Sequence, residues 1–216
     1  MNMTGNYENR VIRSDECNLF FTSDTHFGSE RALELSRRPF KSVEEMDETM
    51  LKNINDMCKM TNKACLIHLG DFGNHEFVRK INVPVILILG NYEMSEIEDS
   101  FNGNYKEYRS YIMEKFGYAD VAVHAEIATE GMKYLWMAHD PIDCVNDRDN
   151  SRRFTSQKYP NGIFYLFGHI HGRQKVKPFG IDVGVDGNHF RPMSLKDVWF
   201  YENAIKHRYD NSVWCQ

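Results

Sequence analysis

The chain has 216 residues and a formal net charge of −5, and 42% of its residues are hydrophobic and 13% aromatic. This composition is typical of a globular protein and argues against disorder, because such a chain buries enough apolar surface to offset the ordering entropy. No apolar run reaches the roughly 18 residues that a bilayer-spanning helix needs. The acidic balance does not favour non-specific binding to duplex DNA, although bound metal ions would reverse the local field for a polyanionic substrate.

The cysteines and the polar N-terminus indicate the compartment. Five cysteines are scattered along the chain without a Cys-x-x-Cys pair, which argues against a disulfide framework or a structural zinc knuckle and favours reduced thiols. The N-terminus lacks the apolar stretch of a secretory signal. We therefore expect the protein in the cytoplasm. No linker or repeat divides the chain, so we also expect one domain over residues 1–216. The sequence leaves the oligomeric state open.

Strands and helices are predicted to alternate in the first half of the chain. Continuous apolar runs at residues 19–22, 64–69 and 83–89 predict strands that are covered on both faces. Helices are predicted between and after them. Their ranges are residues 29–38, then 43–60 with a capping box at its start, and 96–116, where Gly103 weakens the first half.

The second half is richer in strands. Short apolar runs predict strands at residues 121–123, 126–129, 133–138, 163–167 and 181–185, while residues 195–205 are compatible with strand or helix. Gly131 predicts a hairpin between the second and third of these runs. Residues 143–162 have little periodicity and predict a long loop, which in compact domains is often functional or mobile. The natural packing for this pattern is a sandwich of two sheets with helices outside.

Five of the predicted strands end in a cluster of polar residues. Sites in α/β sheets form outside the carboxyl ends of strands, and residues two apart in an extended segment point to the same side. A single strand end therefore offers two ligands together, such as Asp24 with His26, or His169 with His171. The five clusters are Asp24-Thr25-His26, Gly70-Asp71, Gly90-Asn91, His139-Asp140 and Gly168-His169-Ile170-His171.

The chemistry of these side chains indicates metal ions. Mixed nitrogen and oxygen ligands favour manganese, iron, zinc or nickel over calcium. Seven of these groups, namely four imidazoles, two carboxylates and one amide, are too many for one tetrahedral zinc, but they fit two ions that share a carboxylate. Two ions roughly 3.5–4 Å apart clamp the attacking and leaving oxygens of a phosphoryl displacement, and a hydroxide that bridges them is the expected nucleophile.

In their order and spacing, the five clusters resemble the calcineurin-like metallophosphoesterases over roughly residues 19–190. The resemblance implies an α/β fold, a four-layer α/β/β/α sandwich of two mixed sheets flanked by helices. It also implies two divalent transition-metal ions, for which we favour manganese. By the same resemblance, Asp24, His26 and His171 would bind the first ion, Asn91, His139 and His169 would bind the second, and Asp71 would bridge both.

A further stretch looks like a small subfamily of bacterial and phage phosphoesterases. It consists of Arg38-Pro39-Phe40 followed by Val43-Glu44-Glu45-Met46-Asp47. The sequence assigns no chemical role to these residues. Asp182 and Asp186 flank a predicted strand, and we assign them no ligand role either.

One position departs from the family pattern. The family has Gly-Asn-His where this chain has Gly90-Asn91-Tyr92, and the family histidine acts near the leaving group as an acid or transition-state stabiliser. A phenol with a reference pKa near about 10 is a poorer acid at neutral pH than an imidazole. Poor leaving groups should therefore suffer most. Tyr92 is a candidate substrate-binding residue, or it packs over the rim without a chemical role.

A second copy of the family motif lies nearby. Gly73-Asn74-His75-Glu76 spells the motif letter for letter, but no strand directly precedes it. We expect Asn91 to be the metal-binding copy and to take part in catalysis. His75 is a hypothetical catalytic residue that leans over the site from the Asp71 loop and replaces the missing acid.

The predicted loop contains four basic residues, Arg148, Arg152, Arg153 and Lys158. They are either solvated surface charges or phosphate contacts. Their position between the strand ends of His139 and His169 favours a contact with substrate, and arginine grips phosphate with two hydrogen bonds. Arg152 and Arg153 are therefore the candidate substrate-binding residues.

These observations predict a dinuclear metal-dependent phosphohydrolase that cleaves a phosphodiester or phosphomonoester by attack of the metal-bridging hydroxide. We expect a small phosphate-ester substrate, with a nucleotide-type compound favoured, and no membrane partner. A nucleic acid is possible but not favoured, because the chain lacks a strip of aromatic and basic residues. The alternative is a catalytically weak scaffold or binding protein that has kept the fold, which the loss of the acidic histidine suggests.

Overall fold

The computed structural model describes residues 10–13, 16–128, 134–141 and 163–208. Strands are numbered along the chain and form two mixed sheets. In spatial order, the five-stranded sheet contains β11 (Met193–Ser194), β2 (Asn18–Thr22), β3 (Ala64–His68), β4 (Val85–Ile88) and β5 (Asp120–Ala122). The strands from β2 to β5 are parallel, and β11 runs antiparallel to β2.

The six-stranded sheet has parallel strands at its centre. In spatial order, it contains β1 (Arg10–Arg13), β6 (Ala125–Ala128), β7 (Tyr134–Met137), β8 (Ile163–Phe167), β10 (Gly180–Asp182) and β9 (Val176–Lys177). β7, β8 and β10 are parallel, whereas β6 pairs antiparallel with β7 as the predicted hairpin requires. β1, β9 and β11 were not predicted, because two to four residues are too few to show a periodicity.

Alternate residues of the central strands enter two different cores. Phe21 and Ile67 pack between the two sheets with residues such as Leu135 and Leu166 of the six-stranded sheet. Their neighbours Phe20 and Leu66 pack on the other face, against the helices. Because successive side chains point to opposite faces of a strand, the continuous apolar runs require cover on both faces. The expected α/β sandwich of two mixed sheets with flanking helices is confirmed.

The helices lie close to their predicted positions. They are α1 (Glu30–Leu35), α2 (Val43–Lys59), α3 (Asn91–Phe101), α4 (Tyr105–Phe116) and α5 (Leu195–Arg208), with short 3-10 helices at His75–Lys80 and Val185–Gly187. Ser42 caps α2 through a hydrogen bond from Glu45 N at 3.2 Å, but the Glu45 carboxylate accepts from Lys41 N rather than completing the capping box. No helix within the described ranges combines the length and apolar character that crossing a membrane requires.

The predicted helix over residues 96–116 is wrong in its extent. It is two helices, because Asn102 and Gly103 adopt left-handed backbone with φ of 49° and 74° and end α3. α3 also begins earlier than predicted, at Asn91, directly after β4. The first turn of α3 therefore lies at the carboxyl end of the five-stranded sheet, next to the polar clusters.

Candidate metal centre

Backbone hydrogen bonds connect the polar segments that follow the strands. Asp24 N donates to Gly70 O at 3.0 Å, which joins the segments after β2 and β3, and Gly168 N donates to His139 O at 2.9 Å, which joins those after β7 and β8. His169 N donates to Asp24 Oδ2 at 2.9 Å and so links the two sheets. The carboxyl ends of strands from both sheets therefore meet at one rim.

The backbone at this rim is left-handed in an unusual number of places. Non-glycine residues avoid this region because Cβ clashes with the backbone, and such strain, at about 1–3 kcal/mol per residue, clusters at functional sites. The φ angles of the five left-handed residues among the candidate ligands lie between 48° and 70°. These residues are Asp24, His26, Asp71, His169 and His171.

The left-handed turns decide which side chains meet. The structure forms one cluster from Asp24, His26 and His171 and a second from Asp71, His139 and His169, with the ligand atoms of each within 4.8 Å of one another. The expectation that His169 and His171 point to the same side is wrong, because neither residue is extended. Asp24, His26 and His171 are grouped as the family resemblance implies, and the assignment of metal ligands stays a prediction.

In the second cluster, three donor atoms converge on one point. Asn91 Oδ1 lies 3.0 Å from His139 Nε2 and 2.9 Å from His169 Nδ1, and the two nitrogens are 3.2 Å apart. Nitrogen and oxygen ligands bind zinc at about 2.0–2.2 Å, so two ligands of one ion lie at most about twice that distance apart. The three atoms are therefore close enough together to bind one ion.

The groups around His139 favour a positive charge at this position. His139 Nδ1 is 2.6 Å from Leu69 O, so this nitrogen carries a proton and Nε2 faces Asn91 and Asp71. Burial lowers the pKa of His139, but the hydrogen bond to Asp71 and the charge of Asp24 outweigh burial and raise it to about 10. A metal ion binds a deprotonated imidazole nitrogen, so a cation bound here would take the place of a proton on His139 Nε2.

Asp71 lies between the two clusters. Its Oδ2 is 3.7 Å from His26 Nε2 and 3.5 Å from His139 Nε2, while its Oδ1 accepts a hydrogen bond from Tyr92 N at 3.0 Å. Burial raises the pKa of Asp71, but the hydrogen bond and charge of His139 outweigh burial and hold the pKa below its ordinary value. One carboxylate oxygen thus faces both clusters while the other is fixed by the backbone.

In the first cluster, a buried carboxylate oxygen has no partner. Asp24 is fully buried, and its Oδ1 accepts no hydrogen bond from any residue that the structure describes. This oxygen is 3.8 Å from His171 Nε2. A buried unsatisfied polar atom is costly unless an ion or water pairs with it. Burial lowers the pKa of His26 to about 4 despite Asp71 and Asp24, which leaves a neutral imidazole suited to a metal ion.

The donor set and the unpartnered oxygen fit a pair of divalent cations. Over residues 18–207, the sequence matches the profile of the calcineurin-like phosphoesterases. The chain belongs to that family. Membership confirms the family resemblance that the strand-end motifs predicted.

Two similar proteins are described as uncharacterized or of unknown function. An uncharacterized protein from Methanocaldococcus jannaschii is 27% identical over 130 residues, which are 56% of this chain and 66% of the relative. The match therefore spans just under two thirds of that protein. The crystal structure of a protein of unknown function from Aquifex aeolicus is 22% identical with a TM-score of 0.57, covering 85% of this chain and 98% of that one. That likeness shows the fold alone.

The structure does not bring His75 to the rim. Its Nδ1 is 2.6 Å from Tyr118 Oη, and its Nε2 is 3.5 Å from Tyr108 Oη and 3.7 Å from a Glu96 oxygen. The ring stacks on Phe72, in an aromatic cluster beside α4. Both nitrogens face these partners because the 3-10 helix at His75–Lys80 turns the side chain toward α4. The hypothesis that His75 replaces the missing acid therefore has no support in the geometry.

Tyr92 does lie at the rim. Its side chain is exposed, and its ring meets that of His26 edge to face with centroids 5.1 Å apart. This position suits contact with a substrate, which stays a prediction. Arg152, Arg153 and the rest of the predicted loop at 143–162 lie outside the described residues.

The sequence analysis missed the residues that hold the ligands in place. Glu93 accepts hydrogen bonds from the backbone around Asp71, and a capping-box position three residues after Gly90 was the signal for it. Asp182 accepts from Gly172 N at 2.9 Å, next to His171, and burial raises its pKa to about 6. Asp186 contacts His171, and Arg38 contacts Asp24 O. Nothing in their local sequence reveals these last contacts.

Proposed function

We propose that this protein is a dinuclear metal-dependent phosphohydrolase that cleaves a phosphodiester or phosphomonoester, with a nucleotide-type substrate favoured. The observation that carries the proposal is the position of Asp71 Oδ2, 3.7 Å from His26 Nε2 and 3.5 Å from His139 Nε2. An oxygen shared in this way is what two neighbouring ions require. We propose that the first ion is held by Asp24, His26 and His171 and the second by Asn91, His139 and His169, with Asp71 shared.

The side chains divide the work of this site. Two divalent ions, with manganese favoured among the transition metals, would acidify a water molecule and neutralise charge on the phosphoryl oxygens. Asp71 is held by Tyr92 N so that its free oxygen stays between the two clusters. Asn91 adds a neutral oxygen beside the two imidazoles, at the first turn of α3. A neutral ligand at this exposed edge leaves more positive charge for a bound phosphate.

The substrate preference follows from the missing acid. Tyr92 occupies the place of the family histidine, and His75 is engaged by Tyr118 and Tyr108. Without an imidazole to protonate the departing oxygen, esters with acidic leaving groups should react fastest. A diester or a nucleotide with a phosphate or aryl leaving group meets this condition better than an alkyl monoester does.

The proposal is tested with purified protein that is loaded with Mn²⁺ and compared with Asp71→Asn. Elemental analysis should find two ions per wild-type chain and fewer in the variant. Hydrolysis of bis(4-nitrophenyl) phosphate should fall roughly 100-fold or more in Asp71→Asn, a loss typical of removing one preorganised electrostatic group. The matched control is Asp99→Asn, which changes an exposed aspartate of α3 and should leave both readouts at the wild-type level.

The alternative of a scaffold predicts a different result. A protein that has kept the fold without catalysis would bind ions but show equal, background rates in the wild type and in Asp71→Asn. That outcome on aryl diesters and aryl monoesters would reject the hydrolase. A wild type that takes up no stoichiometric ions under any loading condition would reject both the dinuclear centre and the reaction.

A further inference from the structure

Arg38, from the Arg38-Pro39-Phe40 stretch, is buried beside the first cluster. Its guanidinium side chain is fully covered, and it donates to the backbone of the segment that carries two candidate ligands. Nη2 donates to Asp24 O at 2.6 Å, and Nη1 donates to Thr25 O at 2.8 Å. The remaining surroundings of Nη1 are the soft sulfurs of Met46 and Met50. A buried arginine is costly unless its donors are paired, and here they pair with the ligand segment.

The other edge of the Arg38 guanidinium contacts Asp186. Arg38 Nε and Nη2 donate to the two carboxylate oxygens of Asp186, both at 2.9 Å. Asp186 Oδ2 in turn lies 2.8 Å from His171 Nδ1. A proton on this Nδ1 leaves Nε2 free for a metal ion, the usual way in which a carboxylate orients a histidine ligand. Arg38 therefore touches the Asp24 segment directly and reaches His171 through a single residue.

The neighbouring stretch from Val43 to Asp47 fixes the end of the same segment. Asp47 is buried in α2, and its Oδ2 accepts a hydrogen bond from Gly28 N at 2.9 Å. The segment from Asp24 to Gly28 is thus held at its start by Arg38 and at its end by Asp47. Both stretches that the sequence left without a role contact the loop of the first cluster.

We propose that Arg38 is a positioning residue for the first metal site, which it assembles by clamping the Asp24 segment to the Asp186–His171 pair. The inference rests on the dinuclear site of the proposed function and deepens it. It predicts that Arg38 affects the binding affinity of the first ion only. Among the described contacts, Arg38 has none with Asn91, His139 or His169 of the other site.

The direction in which metal affinity changes when Arg38 is replaced distinguishes positioning from simple electrostatics. A cation next to a metal site repels the metal, so an arginine that acted only through its charge would weaken binding, and its removal would strengthen binding. Here the bidentate pair with Asp186 offsets the charge of Arg38, and the fork geometry is specific to arginine. Positioning therefore predicts weaker binding of the first ion both when the fork is lost and when the charge is lost.

The experiment measures Mn²⁺ binding to metal-free protein by titration calorimetry, with no substrate present. Arg38→Lys keeps the charge but loses the bidentate guanidinium geometry. It should weaken the binding of one of the two ions about 10–100-fold, the usual effect of removing a residue that orients a ligand. The other ion should change by less than about threefold. The ion that is weakened should be the one that His171→Ala also loses and that His169→Ala retains. Arg38→Met should weaken the same ion rather than strengthen it.

The matched control is Arg109→Lys. Arg109 also pairs with a carboxylate, that of Asp120 at 2.6 Å, and donates to Val121 O at 3.2 Å, but neither partner is a candidate ligand. Both ions should bind to this variant as they do to the wild type. Near-UV circular dichroism checks that each metal-free variant is folded. If Arg38→Lys does not fold, Asp186→Asn provides the same comparison with the same expected outcomes.

Several outcomes would overturn the inference. They are equal weakening of both ions, no weakening of either, selective weakening of the ion that His169→Ala loses, or tighter binding in Arg38→Met. Failure of the proposed function looks different. Suppose that the wild type binds two ions without hydrolysing any ester, while Arg38→Lys selectively loses the first ion. This result would reject the proposed reaction but support the positioning role of Arg38.

Discussion

Glu93 holds Asp71 through the backbone. Its Oε2 accepts hydrogen bonds from Asp71 N at 2.9 Å and from Gly90 N at 2.8 Å, and its Oε1 accepts from Phe72 N at 2.8 Å. Glu93 is buried in the first turn of α3, where a carboxylate interacts favourably with the helix dipole. A single carboxylate therefore joins the segments after β3 and β4, which carry Asp71 and Asn91.

We expect Glu93→Gln to destabilise the metal-free protein by about 2–3 kcal/mol. The amide nitrogen cannot accept a hydrogen bond, so at least one buried N–H loses its partner, and the charge that strengthens the remaining bonds is gone. Urea unfolding in the presence of a chelator measures the loss. Glu96→Gln is the control, because Glu96 is half-exposed and accepts from Tyr108 Oη; its loss should stay near about 1 kcal/mol. Equal losses in the two variants would contradict this role of Glu93.

Gly168 allows the two sheets to approach at the rim. A Cβ at this position would lie 2.0 Å from Ser23 Oγ and 2.4 Å from Asp24 Oδ2. Gly168→Ala must therefore displace Asp24, and we expect Mn²⁺ affinity to fall about tenfold or more. Gly117→Ala is the control: its Cβ would meet nothing within 4 Å, but its φ of 87° strains an alanine. It should cost about 1 kcal/mol of stability and leave metal binding intact, and a Gly168→Ala protein with wild-type affinity would refute the argument.

Tyr92→His should change how the rate depends on the leaving group. An imidazole at the rim can protonate a departing oxygen at neutral pH, and general acid catalysis typically contributes about 10²–10⁴-fold. We therefore expect kcat/KM to rise at least about tenfold for alkyl esters and little for 4-nitrophenyl esters. A series of esters with graded leaving-group pKa values measures the slope. Tyr92→Phe keeps the ring that meets His26 and should leave the slope unchanged; a parallel shift for all esters in Tyr92→His would count against the prediction.

His68 should make the protein less stable in mild acid. It is fully buried in β3, its Nε2 lies 2.9 Å from Thr25 Oγ1, and burial lowers its pKa to about 3. The unfolded chain has an ordinary histidine pKa of about 6.5, so it takes up a proton below that pH while the folded protein does not. Stability is therefore unaffected above about pH 6.5 and falls as the pH decreases toward 3, by about 2 kcal/mol between pH 7 and pH 5.

The His68 prediction is checked by urea unfolding at both pH values with a chelator present. In His68→Gln, the difference in unfolding free energy between pH 7 and pH 5 should be smaller than in the wild type by about 2 kcal/mol. The comparison of differences removes the groups that titrate equally in both proteins. An unchanged pH dependence would contradict the prediction, because the folded protein would then protonate His68 as readily as the unfolded chain does.

The sequence by itself determined the longer strands, the candidate ligands and the family. Runs such as Ala64–His68 are apolar because both faces of the strand are covered, and burial of this kind depends on local periodicity that one sequence displays. The polar residues that directly follow these runs are readable for the same reason. The helix around Gly103 was misread, because Asn102 in left-handed conformation ends α3 and the Asn102-Gly103 turn signal was read only as weakening the helix.

Only the tertiary structure decided how the candidate ligands are arranged and what holds them. His169 and His171 separate because left-handed turns, not extended chain, follow β8. Arg38 and Asp186 are 148 residues apart in the chain and meet only because the two sheets pack together. Local patterns report which face of an element is buried, whereas the partner of a buried polar group depends on the packing of distant elements. For this reason, the candidate ligands were predictable from the sequence, whereas the contacts of Arg38 and His75, and those of Glu93 with the backbone of Asp71 and Phe72, were not.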